Sequence, residues 1–148
     1  MILGITGLIA SGKGSVAEIL KKGGFEYFSL SDEIRISLAD QGISPGRDAM
    51  TAEGNRIRHE EGSGALASRI VKRFSDGVNQ VVDSIRNPEE VAVLRKCDNF
   101  FLVAVESPIE VRFARLHERA RPGDPDTLEG FLAAEERELA GADPAAQQ

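Results

Sequence analysis

Cysteine is nearly missing from this sequence. Cys97 stands alone among 148 residues, which excludes an intrachain disulfide and any metal site built from several thiolates. A reducing cytoplasm fits that usage. An excess of basic charge is also missing: 18 Lys and Arg against 24 Asp and Glu leave a net charge of −6 and a pI near 5.0. A protein that lives on the phosphate backbone of nucleic acid needs a broad basic surface, so that class is set aside and any phosphate site must be local. No apolar run approaches the roughly 20 residues that span a bilayer. The opening Met-Ile-Leu-Gly-Ile-Thr lacks the basic start of a signal peptide, so the expectation is a soluble protein without a membrane partner. His59 and His117 have no companions at metal-ligand spacing. What the sequence does have is ordinary globular material, 41% hydrophobic and 28% charged, in a length that suits one compact domain.

Along the chain, short apolar runs alternate with segments of helical period. Ile2 to Thr6 reads as a strand that breaks at Gly7. From Lys13 the apolar residues Val16, Ile19 and Leu20 fall on one helical face, which Gly23 and Gly24 end. Phe25 to Leu30 reads as a second strand, followed by a helix that starts at Ser29 or Ser31 and carries Ile34 and Leu38. Asp48 to Phe74 divides into two helices near Gly62-Ser63-Gly64. Val78 to Val82 is a third strand ending at Asp83, and Asn87, Pro88 and Glu90 spell a capping box for the next helix. The continuous run Phe100 to Val105 predicts a strand buried on both faces. Ser107-Pro108-Ile109-Glu110 and then Asp126 with Glu129 announce two further helices. This alternation predicts an α/β domain over 1–148, a mostly parallel sheet with helices on both faces and ligands at the carboxyl ends of its strands.

The segment Gly7-Leu8-Ile9-Ala10-Ser11-Gly12-Lys13-Gly14-Ser15 fits the glycine-lysine core of a P-loop, between a strand and a helix as such a loop requires. Glycines let the backbone curl so that its amides point at phosphate oxygens. The helix N-terminus adds partial positive charge, and Lys13 neutralises the β/γ-phosphates. Gly7, Ala10, Ser11, Gly12, Lys13, Gly14 and Ser15 are therefore the expected ATP-binding residues. Gly14 stands where many P-loops place the hydroxyl that binds Mg²⁺, which leaves Ser15 for that role. Asp83, at the end of an apolar strand, can hold a hydrated Mg²⁺ as the second acidic element, or serve as a strand-end turn or helix cap. Arg86 offers a planar guanidinium for a bidentate phosphate contact, or a surface ion pair. Cys97 reads as a small buried residue and not as a nucleophile.

The Gly-Lys-Gly-Ser ending resembles the P-loop of nucleoside monophosphate kinases, and the opening "GITG" resembles dephospho-coenzyme A kinase and its archaeal relatives. The resemblance runs along nearly the whole chain. "YFSLSDEIR" is similar to the segment whose acidic residue and arginine face the phosphoryl acceptor, which implies Asp32 in catalysis and Arg35 in acceptor binding. "VVDSIRNPEE" is similar to the third strand of the group, whose aspartate organises Mg²⁺ water and whose arginine grips acceptor phosphate; that implies Asp83 and Arg86. Asp32 reads equally well as a first-turn helix acid. Arg112, Arg115, Arg119 and Arg121 precede Pro122-Gly123-Asp124, where such kinases carry a lid whose arginines reach the transferring phosphoryl group. The expected lid is 119–126, with Arg119 and Arg121 as its charges and Arg137 as a more distant one. A plain solvated helix face is the alternative for Arg112, Arg115 and Arg119.

The acidic and His-Pro helix motif of dephospho-coenzyme A kinase is replaced here by Asn87-Pro88-Glu89-Glu90. Members of the group continue past the last helix into a fifth strand, whereas this sequence stops at Gln148; the expectation is a domain shortened before its final strand. A similar domain fronts some bacterial deoxycytidylate deaminases, which implies a deaminase-type partner domain. The resemblance thus implies an ATP- and Mg²⁺-dependent kinase acting on a small phosphorylated acceptor, a nucleoside monophosphate ahead of dephospho-coenzyme A. A nucleotide-binding regulatory module is the reading from another class.

Overall fold

The structure, a computed structural model, describes residues 1–119 and 124–140. Its elements are β1 (Ile2–Thr6), α1 (Lys13–Lys22), β2 (Glu26–Ser29), α2 (Leu30–Asp40), α3 (Arg47–Glu61), α4 (Ala65–Val71), β3 (Gln80–Asp83), α5 (Pro88–Leu94), β4 (Phe100–Ala104), α6 (Ile109–Arg119) and α7 (Leu128–Ala140). The strands form one sheet in the order β2-β3-β1-β4. Every pairing is parallel, with Leu3 opposite Val81 on one side of β1 and Phe101 on the other. Parallel neighbours need crossovers, and these cover both faces of the sheet. Side chains alternate along each strand. Ile5 and Val81, joined by Leu3 and Tyr27, therefore pack against Ala17, Val16 and Leu20 of α1. Ile2, Phe28 and Val82 face the opposite way, into a larger core with Ile34, Leu38, Ile57, Leu66 and Leu94 from α2 to α5.

Local chemistry explains several boundaries. The Asn87 side chain accepts from the Glu90 amide at 2.9 Å and Glu90 Oε2 accepts from the Asn87 amide at 3.2 Å. This is the reciprocal capping expected at α5, with Pro88 in the first turn. The break expected at Gly62-Ser63-Gly64 separates α3 from α4, Gly62 adopting φ +99°. Ser29 precedes α2 without a side-chain cap, and its hydroxyl donates to Ser84 Oγ at 3.3 Å instead. At α7 the cap is Thr127, whose Oγ1 accepts from the Gly130 amide at 3.1 Å. Asp126, the residue expected there, presents its carbonyl to His117 Nε2 at 2.9 Å.

The expectation for β4 needs correction. Its apolar run predicts burial on both faces, yet Phe101, Leu102 and Val103 are 54%, 38% and 40% exposed. An unbroken apolar run records hydrophobicity but not which neighbours arrive. β4 pairs with β1 on one edge and, among the described residues, with nothing on the other. Only Phe100 turns into the core, beside Gly4. No helix among the described residues is long and apolar enough to cross a membrane.

These positions predict opposite responses to truncation. Leu94→Ala, at a fully buried site, should cost about 2–5 kcal/mol in chemical denaturation. Phe101→Thr should cost less than about 1 kcal/mol. Equal losses would mean that β4 is covered in solution.

Candidate functional site

The phosphate-loop candidate leaves the carboxyl end of β1, between two strands, and enters α1. Gly7 has φ +142°, and a Cβ added there would sit 2.3 Å from the Val105 carbonyl oxygen. No side chain fits that approach. Gly12 has φ +109° at the start of α1, where an added Cβ would lie 3.3 Å from Arg115 Nη1. Between them Ala10 takes φ +58°, a left-handed conformation that costs a residue with Cβ roughly 1–2 kcal/mol. The loop thus curls over the first turn of α1, whose leading amides lie beyond the reach of the i−4 ladder. Lys13 reaches back across the curl, its Nζ donating to Gly7 O at 2.6 Å and Leu8 O at 2.8 Å. Ser11 is 2% exposed, and its Oγ has no hydrogen-bond partner. A buried hydroxyl left without a partner is costly, and beside Gly7 it is placed to donate to an anionic oxygen. Cradle, ammonium and orphaned hydroxyl together fit a phosphate group.

One strand over, Asp83 ends β3. Its Oδ1 accepts from the Ser84 amide at 2.6 Å, and its Oδ2 accepts from the Tyr27 hydroxyl at 3.2 Å. Ser84 adopts φ +65°, so the chain turns sharply just after the carboxylate. Burial and, next, the charge of Asp83 push the Tyr27 hydroxyl up to about 12. Among the described residues no group of three or more His, Cys, Asp and Glu gathers into a metal site. The donors that fit Mg²⁺ are therefore the Asp83 carboxylate and the exposed Ser15 hydroxyl, with water and phosphate oxygens completing the octahedron that this ion demands.

The loop after Asp83 is held by a buried carboxylate. Glu90, fully buried, accepts from the Arg86 amide at 2.7 Å and from Arg58 Nη2 at 3.0 Å. Arg86 projects at the surface and lines a cavity of about 460 Å³ with Thr6, Ile85, Asn87, Val91 and Arg95. Thr6 alternates with Ile5, so this cavity opens on the α5 side of the sheet, away from α1. Asp32 and Arg35 lie on the exposed face of α2 and pair with each other at 2.5 Å. Asp83 thus ends the strand beside the one that leads into the loop, with Arg86 three residues further on, and Asp32 lies on a helix surface within electrostatic reach of Tyr27, whose hydroxyl meets Asp83.

The arginines of α6 divide. Arg119 forms a forked pair with Asp124 at 2.9 and 3.0 Å, which ties the two described ends of the candidate lid. Arg121, with the rest of 120–123, lies outside the described residues, as does the side chain of Arg137. Arg115 Nη1 donates to Ser11 O at 3.0 Å and Ser107 Oγ donates to the same oxygen at 2.9 Å. Arg112 is buried and not part of a solvated face. Sequence reasoning missed Ser107 and Tyr27 as neighbours of the site, because both act across long stretches of chain. Burial, and then the charge of Asp98, raises the Cys97 thiol, which keeps it protonated and unreactive.

A fully parallel sheet with a glycine-lysine loop at the end of an inner strand is the α/β P-loop nucleoside triphosphatase fold. The AAA domain family matches residues 6–131, and the chain belongs to it. The chain also belongs to the UPF0200 proteins: it is 35% identical over 139 residues to the UPF0200 protein of Pyrobaculum aerophilum, an alignment that covers 93% of this chain and 77% of the relative. Solved structures agree on the fold. TT1252 from Thermus thermophilus matches with a TM-score of 0.57 at 22% identity, over 93% of this chain and 78% of that one. Shikimate kinase from Acinetobacter baumannii matches at 0.54 and 16%, over 98% of this chain and 77% of that one.

Tyr27 is the sole tyrosine, so tyrosinate absorbance reports on it alone. The native midpoint should lie near 12, against about 10 for the unfolded chain. A folded value above the unfolded one stabilises the native state fully below pH ~10, and this is lost as the pH rises through ~12. Asp83→Asn should lower the native midpoint. A midpoint unmoved by that change would mean that the hydroxyl and carboxylate do not meet.

Proposed function

We propose that this protein is an ATP-dependent phosphotransferase that acts on a small phosphorylated acceptor, a nucleoside monophosphate in preference to dephospho-coenzyme A. The observation that carries the reading is the juxtaposition of a curled glycine loop, the Lys13 ammonium and the Asp83 carboxylate at the ends of adjacent strands. ATP would supply the γ-phosphoryl group: a bond from the acceptor oxygen to γ-phosphorus forms, the bond to the β,γ-bridging oxygen breaks, and ADP leaves. Such a transfer asks little covalent chemistry of the protein, so positioning and charge are its main contributions.

Lys13 would exchange its two carbonyl partners for β/γ-phosphate oxygens, and Ser11 would donate its unpartnered hydroxyl to the same anion. Asp83 and Ser15 would hold hydrated Mg²⁺, with Tyr27 fixing the carboxylate through its hydroxyl. Arg86 would hold the acceptor phosphate by a fork of two N–H groups, on a loop that Glu90 anchors through its amide. Arg35 serves the acceptor only if its pair with Asp32 opens. Arg119 and Arg121 would supply lid charge to the transferring group. The preference for a nucleoside monophosphate rests on the resemblance of the Gly-Lys-Gly-Ser and Ser-Asp-Glu-Ile-Arg segments, and on Asn87-Pro88 standing where dephospho-coenzyme A kinases carry His-Pro.

ADP formation measured against a panel of nucleoside monophosphates and dephospho-coenzyme A tests the reading. Turnover should require an acceptor, and Lys13→Ala and Asp83→Asn should each lower it by about 10²-fold or more while the fold persists. Arg86→Ala should raise the Michaelis constant for the acceptor and spare ATP affinity. Phosphorylation of dephospho-coenzyme A alone would overturn the acceptor choice, and ATP binding without any acceptor-dependent turnover would favour a regulatory module.

A further inference from the structure

We propose that Arg112 is a positioning residue that sets the direction of the phosphate-loop amides from behind. It is 5% exposed, and its guanidinium is almost fully committed. Nε donates to Ser107 O at 3.0 Å, Nη1 donates to Ile9 O at 3.3 Å and to Glu135, and Nη2 donates to Glu135 Oε1 at 3.1 Å. The Phe131 ring lies beneath it at 5.4 Å. With four of its five N–H groups engaged inside the protein, Arg112 has little left for a ligand phosphate. Its consequence for a ligand is indirect and rests on the loop being the ATP site.

The argument turns on peptide geometry. In a planar trans peptide the carbonyl of one residue and the amide of the next point in opposite directions. α6 and the residues leading into it take the three carbonyls at the tip of the loop: Arg112 takes Ile9 O, Arg115 takes Ala10 O at 3.4 Å, and Arg115 with Ser107 takes Ser11 O. Drawing these carbonyls toward α6 turns the amides of Ala10 and Gly12 the other way, while the Ser11 amide donates within the loop to Leu8 O at 3.2 Å. Ala10 carries the left-handed strain of this tip, so the conformation needs external support to persist. Arg115 is exposed, where water competes for its contacts. Arg112 is buried and linked through Glu135 and Phe131 to α7, which makes it the durable support and joins the loop to the element that follows the candidate lid.

Removing Arg112 alone would strand the Glu135 carboxylate, which is largely buried, so the decisive variant is Arg112→Met/Glu135→Leu. Replacing both members of a buried pair by apolar residues commonly leaves stability unchanged or raised. If Arg112 positions the loop, this variant should melt near the wild-type temperature, yet amide exchange at Ala10 and Gly12 in the nucleotide-free protein should speed up and ATP affinity should fall by about tenfold. Arg112→Lys provides a second route: it keeps the charge opposite Glu135 but cannot fork to two carbonyls, and it should show the same two effects. Wild-type exchange at the loop tip in a folded variant of either kind would reduce Arg112 to a structural residue. Failure of the wild-type protein to bind ATP would sink the kinase reading instead, and the nucleotide-free exchange measurement would still decide the role of Arg112.

Discussion

Gly7 passes under the carbonyl of Val105 so closely that a single added carbon would overlap it at 2.3 Å. That contact joins the exit of β1 to the exit of β4, and the site depends on it. Because the chain can turn there, the loop folds back over the start of α1 and does not run on past the sheet. Because α6 begins just beyond Val105, its side chains meet the back of the same loop. A residue with Cβ at position 7 would push the loop off β4 and separate both sides of the cradle. The tight packing of parallel strand ends is thus what converts a glycine-rich sequence into a defined concavity.

Charge in this molecule is arranged locally. The chain carries a net charge of −6, yet cationic groups converge on the loop from two directions: Lys13 from inside the curl, and Arg112 and Arg115 from behind it. Their present partners are mostly backbone carbonyls. A carbonyl dipole holds an ammonium less firmly than a phosphate dianion does, so the two carbonyl contacts of Lys13 are of the weaker kind. Arg112 is different, since its partner is a full carboxylate in a buried setting. Arg58 with Glu90 is a second buried pair of this kind, and Glu90 also holds the loop that carries Arg86 through its amide.

Much of this was legible in the chain alone. The alternation of apolar runs with helical periods located every strand and helix to within a few residues, since each period reflects a face that must be buried. The capping box at Asn87 and the P-loop were readable because both are short-range patterns fixed by backbone geometry. The parts that stayed hidden are pairings across distance. Nothing near Tyr27 announces that its hydroxyl meets Asp83, and nothing in α6 marks Arg112 as buried while Arg115, three residues on, is exposed. The edge position of β4 was hidden for the same reason: its composition suits a central strand, and only the sheet order reveals one neighbour. Residue types were informative where one residue must do one thing, and weak wherever a partner had to be named.

The central claim is that the curled loop receives the phosphates of ATP. Amide chemical shifts of Gly7, Gly12 and Gly14, followed by nuclear magnetic resonance during titration with Mg·ATP and separately with adenosine, test it most directly. The account predicts that these three amides move with Mg·ATP and stay in place with adenosine. Mg·ATP binding that shifts residues elsewhere while the three glycines stay unmoved would contradict it.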